Sequence, residues 1–128
     1  MIVLLDTATP VCRLRLVDAD NHINSEWQAD RTLAKGLLGY LQSQLAQHQK
    51  SLSDITGIGV FQGPGSFTGL RIGMAVLNTL ADSERIPIVG VRGDDWQKIA
   101  LDRLRAGEND QVVLPFYGSE AHITTPRK

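Results

Sequence analysis

The pattern of apolar and polar positions changes its period several times along the chain. Residues 1–6 form a short apolar run that ends at Asp6, residues 11–19 alternate between apolar and polar side chains, and residues 22–29 alternate more weakly. A period of two is typical of strands, because successive side chains of a strand point to opposite faces. With a turn at residues 18–21, these segments predict three consecutive antiparallel strands.

Helical and strand patterns then take turns over the rest of the chain. Asp30 is predicted to cap a helix to about Gln49, whose apolar residues at helical spacing are Ala34, Leu37, Leu38, Leu41 and Leu45. A strand at 55–61, a helix from Thr68 to about Asp82, a strand at 86–91 and a helix at 94–106 closed by Gly107 follow. The order βββαβαβα, with a last extended piece at 111–118, predicts an α/β fold with a mixed sheet.

Composition narrows the class of protein. The 128 residues have a formal net charge of −1. A protein without a strong excess of basic residues is not expected to bind nucleic acid by itself. Cys12 is the single cysteine, and its strand-like setting favours a buried thiol over a reactive one. The chain shows no signal-peptide pattern and no apolar run of about 20 residues, so a soluble cytoplasmic protein is expected.

The glycine-rich segment at residues 63–69 raises the question of nucleotide binding. A phosphate-binding loop of the Walker type needs a Lys followed by Ser or Thr after its last glycine, but Leu70 and Arg71 follow Gly69. The spacing of Gly63, Gly65 and Gly69 also departs from the dinucleotide fingerprint. A nucleotide-binding enzyme that uses this loop, with an acidic residue at 94 or 95 near a ribose, remains the alternative hypothesis.

A packing role for the same glycines is favoured. Gly63 and Gly65 suit a tight turn, and either Ser66 or Thr68 can cap the following helix. Gly69 and Gly73 lie four residues apart, so they form a smooth strip that another backbone can approach closely.

The helix that follows the glycines is apolar nearly all round, which predicts burial nearly all round. One stripe suits the sheet and consists of Leu70, Met74, Leu77 and Ala81. The opposite stripe, Ile72, Val76 and Leu80, has a counterpart on the first helix in Leu33, Gly36 and Tyr40. These stripes either pack the two helices together or meet another subunit, and the second interpretation is favoured.

Two motifs carry a resemblance to a known family. The segment GPGSFTGLR at residues 63–71, together with LLDTAT at residues 4–9, resembles the TsaB family. The resemblance implies an actin/Hsp70-like (ribonuclease H-like) fold, with an N-terminal-type domain at residues 1–107. Residues 108–128 resemble the closing strand and tail of the family, so a minimal version that lacks the second domain is expected.

The resemblance also implies a function and its partners. TsaB is the non-catalytic partner of TsaD in making N6-threonylcarbamoyladenosine on tRNA, and TsaE joins the complex. We expect no enzyme activity of the chain by itself, contact with tRNA only through the complex, and a homodimer when the chain is alone. ATP and metal are expected on the partner subunits. The partner interface implied comprises Leu33, Gly36, Tyr40, Gly69, Ile72, Gly73, Val76 and Leu80.

Few residues are candidates for cofactor binding, metal binding or catalysis. Asp6 and Thr7 stand where the superfamily handles metal and phosphate, so they are cofactor-binding candidates. The favoured interpretation of Asp6 is that it bonds only to the backbone amides of its own turn. The three histidines, His22, His48 and His122, are scattered, which predicts no metal site, and no catalytic residue is assigned. A direct tRNA-binding module would use Arg13, Arg15, Arg92, Lys98, Arg103 and Arg105.

Overall fold

The strands and helices follow the predicted order. The computed structural model describes residues 1–116. Its strands are β1 Ile2–Asp6, β2 Val11–Asp18, β3 Asn21–Gln28, β4 Gly57–Phe61 and β5 Ile88–Val91. Its α-helices are α1 Leu33–Ala46, α2 Phe67–Glu84 and α3 Trp96–Arg105, and short 3-10 turns span Asp30–Thr32 and Leu52–Asp54. The α/β fold class is confirmed.

One mixed sheet of five strands organises the chain in the order β3-β2-β1-β4-β5. The first three strands pair as an antiparallel meander, whereas β4 pairs parallel to β1 and β5 pairs parallel to β4. All four residues of β5 and the first four of β4 are buried, which is typical of parallel strands covered on both faces. The carboxyl ends of β1, β4 and β5 therefore meet at one edge of the sheet.

Helices cover both faces of this sheet. Helices α1 and α2 pack against one face, in a core that includes Val3, Leu37 and Leu77. Helix α3 packs on the other face, where Leu4 and Ala100 are fully buried. Because β3 and β4 run in the same direction, the helices that follow them, α1 and α2, run roughly side by side in the same direction.

The start of α1 differs from the prediction. Asp30 does not cap the helix: it has a positive φ of 48° and begins the 3-10 turn, and its carboxylate accepts a hydrogen bond from Gln28. The helix begins at Leu33 and ends at Ala46, not at about Gln49. Its buried stripe is Leu33, Leu37, Leu41 and Leu45, so Leu38, predicted to be in the core, is 42% exposed.

The described part of the C-terminal segment forms a strap rather than a strand. Residues 107–116 contain no assigned strand, yet they cross the edge of β5, where the Asp110 carboxylate accepts the amide hydrogen of Gly90. Further along, Asn78 of α2 donates to the Val113 carbonyl and accepts the Val113 N–H, both at 2.9 Å. This strap covers a sheet edge that would otherwise present unpaired backbone groups.

Three sequence-based predictions concern the C-terminal segment, the domain boundary and membrane-spanning helices. The family-like tail at residues 117–128 lies outside the described residues, and the domain boundary at residue 107 stays a prediction. No helix within residues 1–116 combines the length and the apolar character that a membrane crossing requires.

Replacing Asn78 tests the strap. We expect Asn78→Ala to lower the free energy of unfolding by about 1–3 kcal/mol, because it removes both partners of the partly buried Val113 backbone. Thr79→Ala, one residue along the same helix, is the matched control, and we expect a change within about 0.5 kcal/mol at this exposed position. Urea unfolding of the two variants measures the difference, and equal losses would show that the strap contributes nothing.

Candidate functional site

The candidate site lies at the carboxyl ends of β1 and β4. Ligands of open α/β sheets bind at this edge, where the strand order also reverses. Here the β1–β2 turn, with Asp6 and Thr7, meets the glycine loop at residues 62–66 and the start of α2. The structure therefore brings together the two motifs that the sequence singled out.

The Asp6 carboxylate forms a hydrogen bond within its own turn. Its Oδ1 accepts the amide hydrogen of Ala8 at 2.8 Å. Burial raises the pKa of the Asp6 carboxyl above its ordinary value, and the Ala8 hydrogen bond and the charge of Arg13 oppose that rise. This geometry supports the interpretation in which Asp6 stabilises the β1–β2 turn.

Thr7 joins β1 to α2. Its side chain is 2% exposed, and its hydroxyl donates to the carbonyl of Gly69 at 2.8 Å. A Cβ placed on Gly73 would lie 2.9 Å from Thr7 Cγ2 and would overlap the Thr7 hydroxyl. A Cβ on Gly69 would overlap the Thr7 carbonyl oxygen. Thr7 thus fills the space that these two glycines leave open.

The rest of the glycine loop is also filled by the chain itself. A Cβ on Gly65 would overlap Ala8, and Gly63 has a φ of +110° and lies against Leu70. Ser66 caps α2, because its hydroxyl accepts the Gly69 N–H at 3.2 Å, as one of the two predicted capping residues. The glycines therefore let the β1–β2 turn and the start of α2 approach each other closely.

These contacts correct the predicted facing of α2. Gly69 and Gly73 do not form an outward strip, since both point at Thr7 in the interior. Leu80, also predicted to face a partner, is 6% exposed. Only Ile72 and Val76 of the predicted α2 stripe reach the surface, and both are half-buried.

The predicted outer stripe of α1 likewise lies against other residues of the chain, with Gly36 and Tyr40 half-buried. Leu33 is buried, and a Cβ on Gly36 would lie 2.6 Å from Trp27 Cη2 of β3. Tyr40 stacks on the Trp27 ring at a centroid distance of 5.1 Å, and its hydroxyl shares a hydrogen bond with Ser25. The stripe packs on the long third strand, whose half-buried Trp27 needs a glycine opposite it.

A different set of residues faces outward from the two helices. We call it the outer helix face, and it consists of Ala34, Leu38, Gly39, Ile72, Ala75, Val76 and Thr79, which are exposed or half-buried. A Cβ on Gly39 would have no neighbour within 4 Å. Sequence reasoning predicted only Ile72 and Val76 of this face and missed the other five residues: Ala34, Leu38, Gly39, Ala75 and Thr79. Trp27 was the available signal, because a large ring on a half-buried strand must be met by a small residue.

An apolar cleft adjoins the outer helix face at the starts of the two helices. It has a volume of about 760 Å³, and its walls include Pro10, Ala29, Leu33, Ser66 and Ile72. Asp6 and Thr7 are not among its lining residues. The cofactor-binding candidates therefore do not line this cleft.

The basic residues of the tRNA-binding alternative are mostly paired or scattered. Arg13 pairs with Glu26, and Lys98 pairs with Asp102. Arg103 bonds to both Glu108 and Asp110, which raises the pKa of its guanidinium. Arg92 lies over the Phe116 ring at 4.0 Å from its centroid. Ion pairs of this kind reduce the charge that a phosphate backbone could use.

Cys12 is buried in the described chain. Burial raises the pKa of the Cys12 thiol to about 12, so the thiol stays protonated, as predicted for a buried cysteine. No group of three or more metal-ligating side chains occurs within residues 1–116. His122 lies outside the described residues.

Comparison with known proteins identifies the family. The family model described as "TsaD: tRNA N6-adenosine threonylcarbamoyltransferase" matches residues 26–96. The tRNA threonylcarbamoyladenosine biosynthesis protein TsaB of Escherichia coli is 35% identical over 91 residues, which cover 70% of this chain and 39% of that protein. The protein of the same name from Haemophilus influenzae is 30% identical over 125 residues, which cover 96% of this chain and 52% of its own length.

The chain belongs to the TsaB family. A solved structure titled YeaZ from Pseudomonas aeruginosa has a TM-score of 0.66 and 30% identity, and the match covers 71% of this chain and 43% of that one. The actin/Hsp70-like fold expected from the sequence is thereby confirmed. The chain spans 39–52% of the length of the two curated TsaB relatives.

Gly73→Ala tests the contact between Thr7 and α2. Alanine favours a helix by about 1 kcal/mol over glycine, but overpacking against Thr7 costs about 1–3 kcal/mol, so we expect a net loss of stability. Gly39→Ala is the matched control on the other helix, and we expect it to gain about 0.5–1 kcal/mol because its Cβ meets open space. Thermal unfolding of the two variants measures whether each change in stability is a loss or a gain.

Thr7→Ala provides a second test of the contact between Thr7 and Gly73. If Thr7 is the obstacle, the Thr7→Ala, Gly73→Ala double variant should lose less stability than the sum of the two single variants. Strict additivity, or a gain in stability for Gly73→Ala, would show that Thr7 does not occupy this space.

Asp6→Asn tests the role of the Asp6 carboxyl through pH. Because folding raises the pKa of Asp6, the folded chain binds that proton more tightly, and ionisation of Asp6 lowers stability as the pH rises. Asparagine keeps an oxygen that can accept the Ala8 N–H. We therefore expect Asp6→Asn to be more stable than the natural chain at neutral pH, with a difference that narrows as the pH falls towards 3.8.

Urea unfolding across this pH range measures the effect. Asp18→Asn at an exposed position is the control. A variant that is less stable than the natural chain at neutral pH, by an amount that grows with pH, would mean that the ionised carboxylate is favoured by the fold.

Proposed function

We propose that this chain is a non-catalytic subunit that binds TsaD and supports threonylcarbamoyl transfer to adenosine of tRNA. The observation that carries the proposal is the outer helix face. Leu38 is a large apolar side chain that is 42% exposed, and half-buried Ile72 and Val76 accompany it on the second helix. Small residues between them, such as Gly39 and Ala75, let another helix approach closely.

Family relationships support the choice of partner. The chain matches both proteins named TsaB and the family model named for TsaD, so TsaD and this chain share a related domain. Two related domains can pair through equivalent surfaces, as identical subunits do across a two-fold axis. The α1–α2 layer is the surface that each would supply. Alone, the chain would cover the same face by forming a homodimer in the cytoplasm.

The scaffolding role is supported by what Asp6 and Thr7 do. The Asp6 carboxylate bonds to the Ala8 amide, and Thr7 is buried against Gly69 and Gly73. Because these side chains already bond to or pack against other residues of the chain, they are poorly placed to hold phosphate or metal. The chain accordingly acts as a pseudoenzyme subunit, with ATP and metal on TsaD and TsaE and with tRNA bound through the complex.

Ala75→Tyr tests the proposal. The added ring projects from the outer helix face, so we expect the fold to persist, TsaD binding to weaken at least about tenfold and tRNA modification to fall with it. Ala106→Tyr, at an exposed position after α3 on the other side of the sheet, is the matched control and should change neither. The measurements are titration with TsaD of the same organism and a threonylcarbamoylation assay with TsaE and tRNA.

Two results would contradict the proposal. The first is unchanged TsaD binding by Ala75→Tyr, which would place the interface elsewhere. The second is threonylcarbamoyl transfer by TsaD and TsaE at the full rate without this chain, which would remove the need for a scaffold.

A further inference from the structure

Apart from Asp82 and Glu84 at the end of α2, the charged residues of the two helices are positive. Lys35 and Arg71 are the only charged residues within residues 33–46 and 67–81, and both are positive and exposed. The chain as a whole has a net charge of −1. The cations of this layer therefore stand out against a nearly neutral chain, on the surface proposed to be covered.

Arg71 lies directly beside the outer helix face. It lines a groove of about 560 Å³ together with Ile72, Ala75 and Leu114. Its guanidinium lies over the Phe67 ring, 5.1 Å from the centroid, which holds the cation near the start of α2. Among the described residues, neither Arg71 nor Lys35 forms an ion pair, whereas Arg13, Lys98 and Arg103 do.

A partner that covers Arg71 must replace the water around its guanidinium. A guanidinium that is removed from water loses its hydration, and this loss is large unless a carboxylate or several oxygen acceptors replace the water. The chain offers no carboxylate from either helix until Asp82. Asp30 lines the cleft on the other side of Ile72, and no acidic residue of the described chain lines the groove of Arg71, so we expect the covering surface to supply the counter-charge.

We propose that the partner surface which docks on the outer helix face is an apolar helix face with a carboxylate opposite Arg71. Lys35, one turn before Leu38 on α1, adds to the same preference for an acidic partner. This inference rests on the proposed function and specifies the chemistry of the partner. Charge complementarity of this kind speeds docking and selects the partner.

The same charges weaken, at low salt, the homodimer proposed for the chain alone. A two-fold interface uses the same patch on both subunits, so it would place two Arg71 and two Lys35 side chains in one interface, with no acid from residues 33–46 or 67–81. Like charges across an interface repel, and salt screens that repulsion. Self-association should therefore strengthen with salt, whereas binding to the acidic partner should weaken.

The experiment compares these two salt dependences. TsaD of the same organism is titrated with the natural chain and with Arg71→Glu at about 0.05 M and about 0.5 M sodium chloride. Arg71→Lys keeps the charge, and Arg105→Glu on α3 reverses a charge on the other face of the sheet. Sedimentation of the chain alone at both salt concentrations measures self-association.

We expect Arg71→Glu to weaken TsaD binding at least about tenfold at low salt. Arg71→Lys and Arg105→Glu should bind within about threefold of the natural chain, as for a retained or remote charge. The natural chain should bind TsaD less tightly at high salt and should self-associate more.

The outcomes separate this inference from the proposed function. TsaD binding that Arg71→Glu and salt leave unchanged overturns the acidic-partner inference while the proposed function stands. Absence of any TsaD binding by the natural chain overturns both. Self-association that weakens with salt would contradict the inference that these cations repel a second copy.

Discussion

The contact of Thr7 with the two glycines of α2 determines the arrangement of this molecule. Thr7 follows the central strand β1, and Gly69 and Gly73 leave just the space that its buried side chain occupies. The hydrogen bond from the Thr7 hydroxyl to the Gly69 carbonyl fixes the start of α2 on the sheet. Because a helix is rigid over its length, this fixes which of its residues point inward and which remain for a partner.

The same contact explains how a loop with the look of a phosphate site serves packing. Glycines after a strand usually leave room for a ligand to approach the backbone. In this chain the space at Gly65, Gly69 and Gly73 is taken by Ala8 and Thr7. The β1–β2 turn is the occupant of the loop, and Asp6 stabilises that turn through the Ala8 amide.

Each helix of the α1–α2 layer is positioned by a side chain that fills the space beside a glycine. Trp27 of β3 lies against Gly36 and stacks on Tyr40, which turns Leu38 and Gly39 of α1 outward. Thr7 does the corresponding work for α2. A layer that is tightly docked on its inner side and apolar on its outer side, with two cations that form no ion pair among the described residues, is suited to a specific partner rather than to water.

The sequence by itself determined the order of elements, the mixed α/β sheet, a cap at Ser66 or Thr68, the buried Cys12 and the family. These depend on local periods, local capping chemistry and a motif of nine residues. The facing of the helices was decided only by the tertiary structure. An α2 that is apolar nearly all round has no stripe that identifies its inner side, and α1 has competing stripes one residue apart. The choice depends on Thr7 and Trp27, which are distant in sequence and meet the glycines only after the strands have paired.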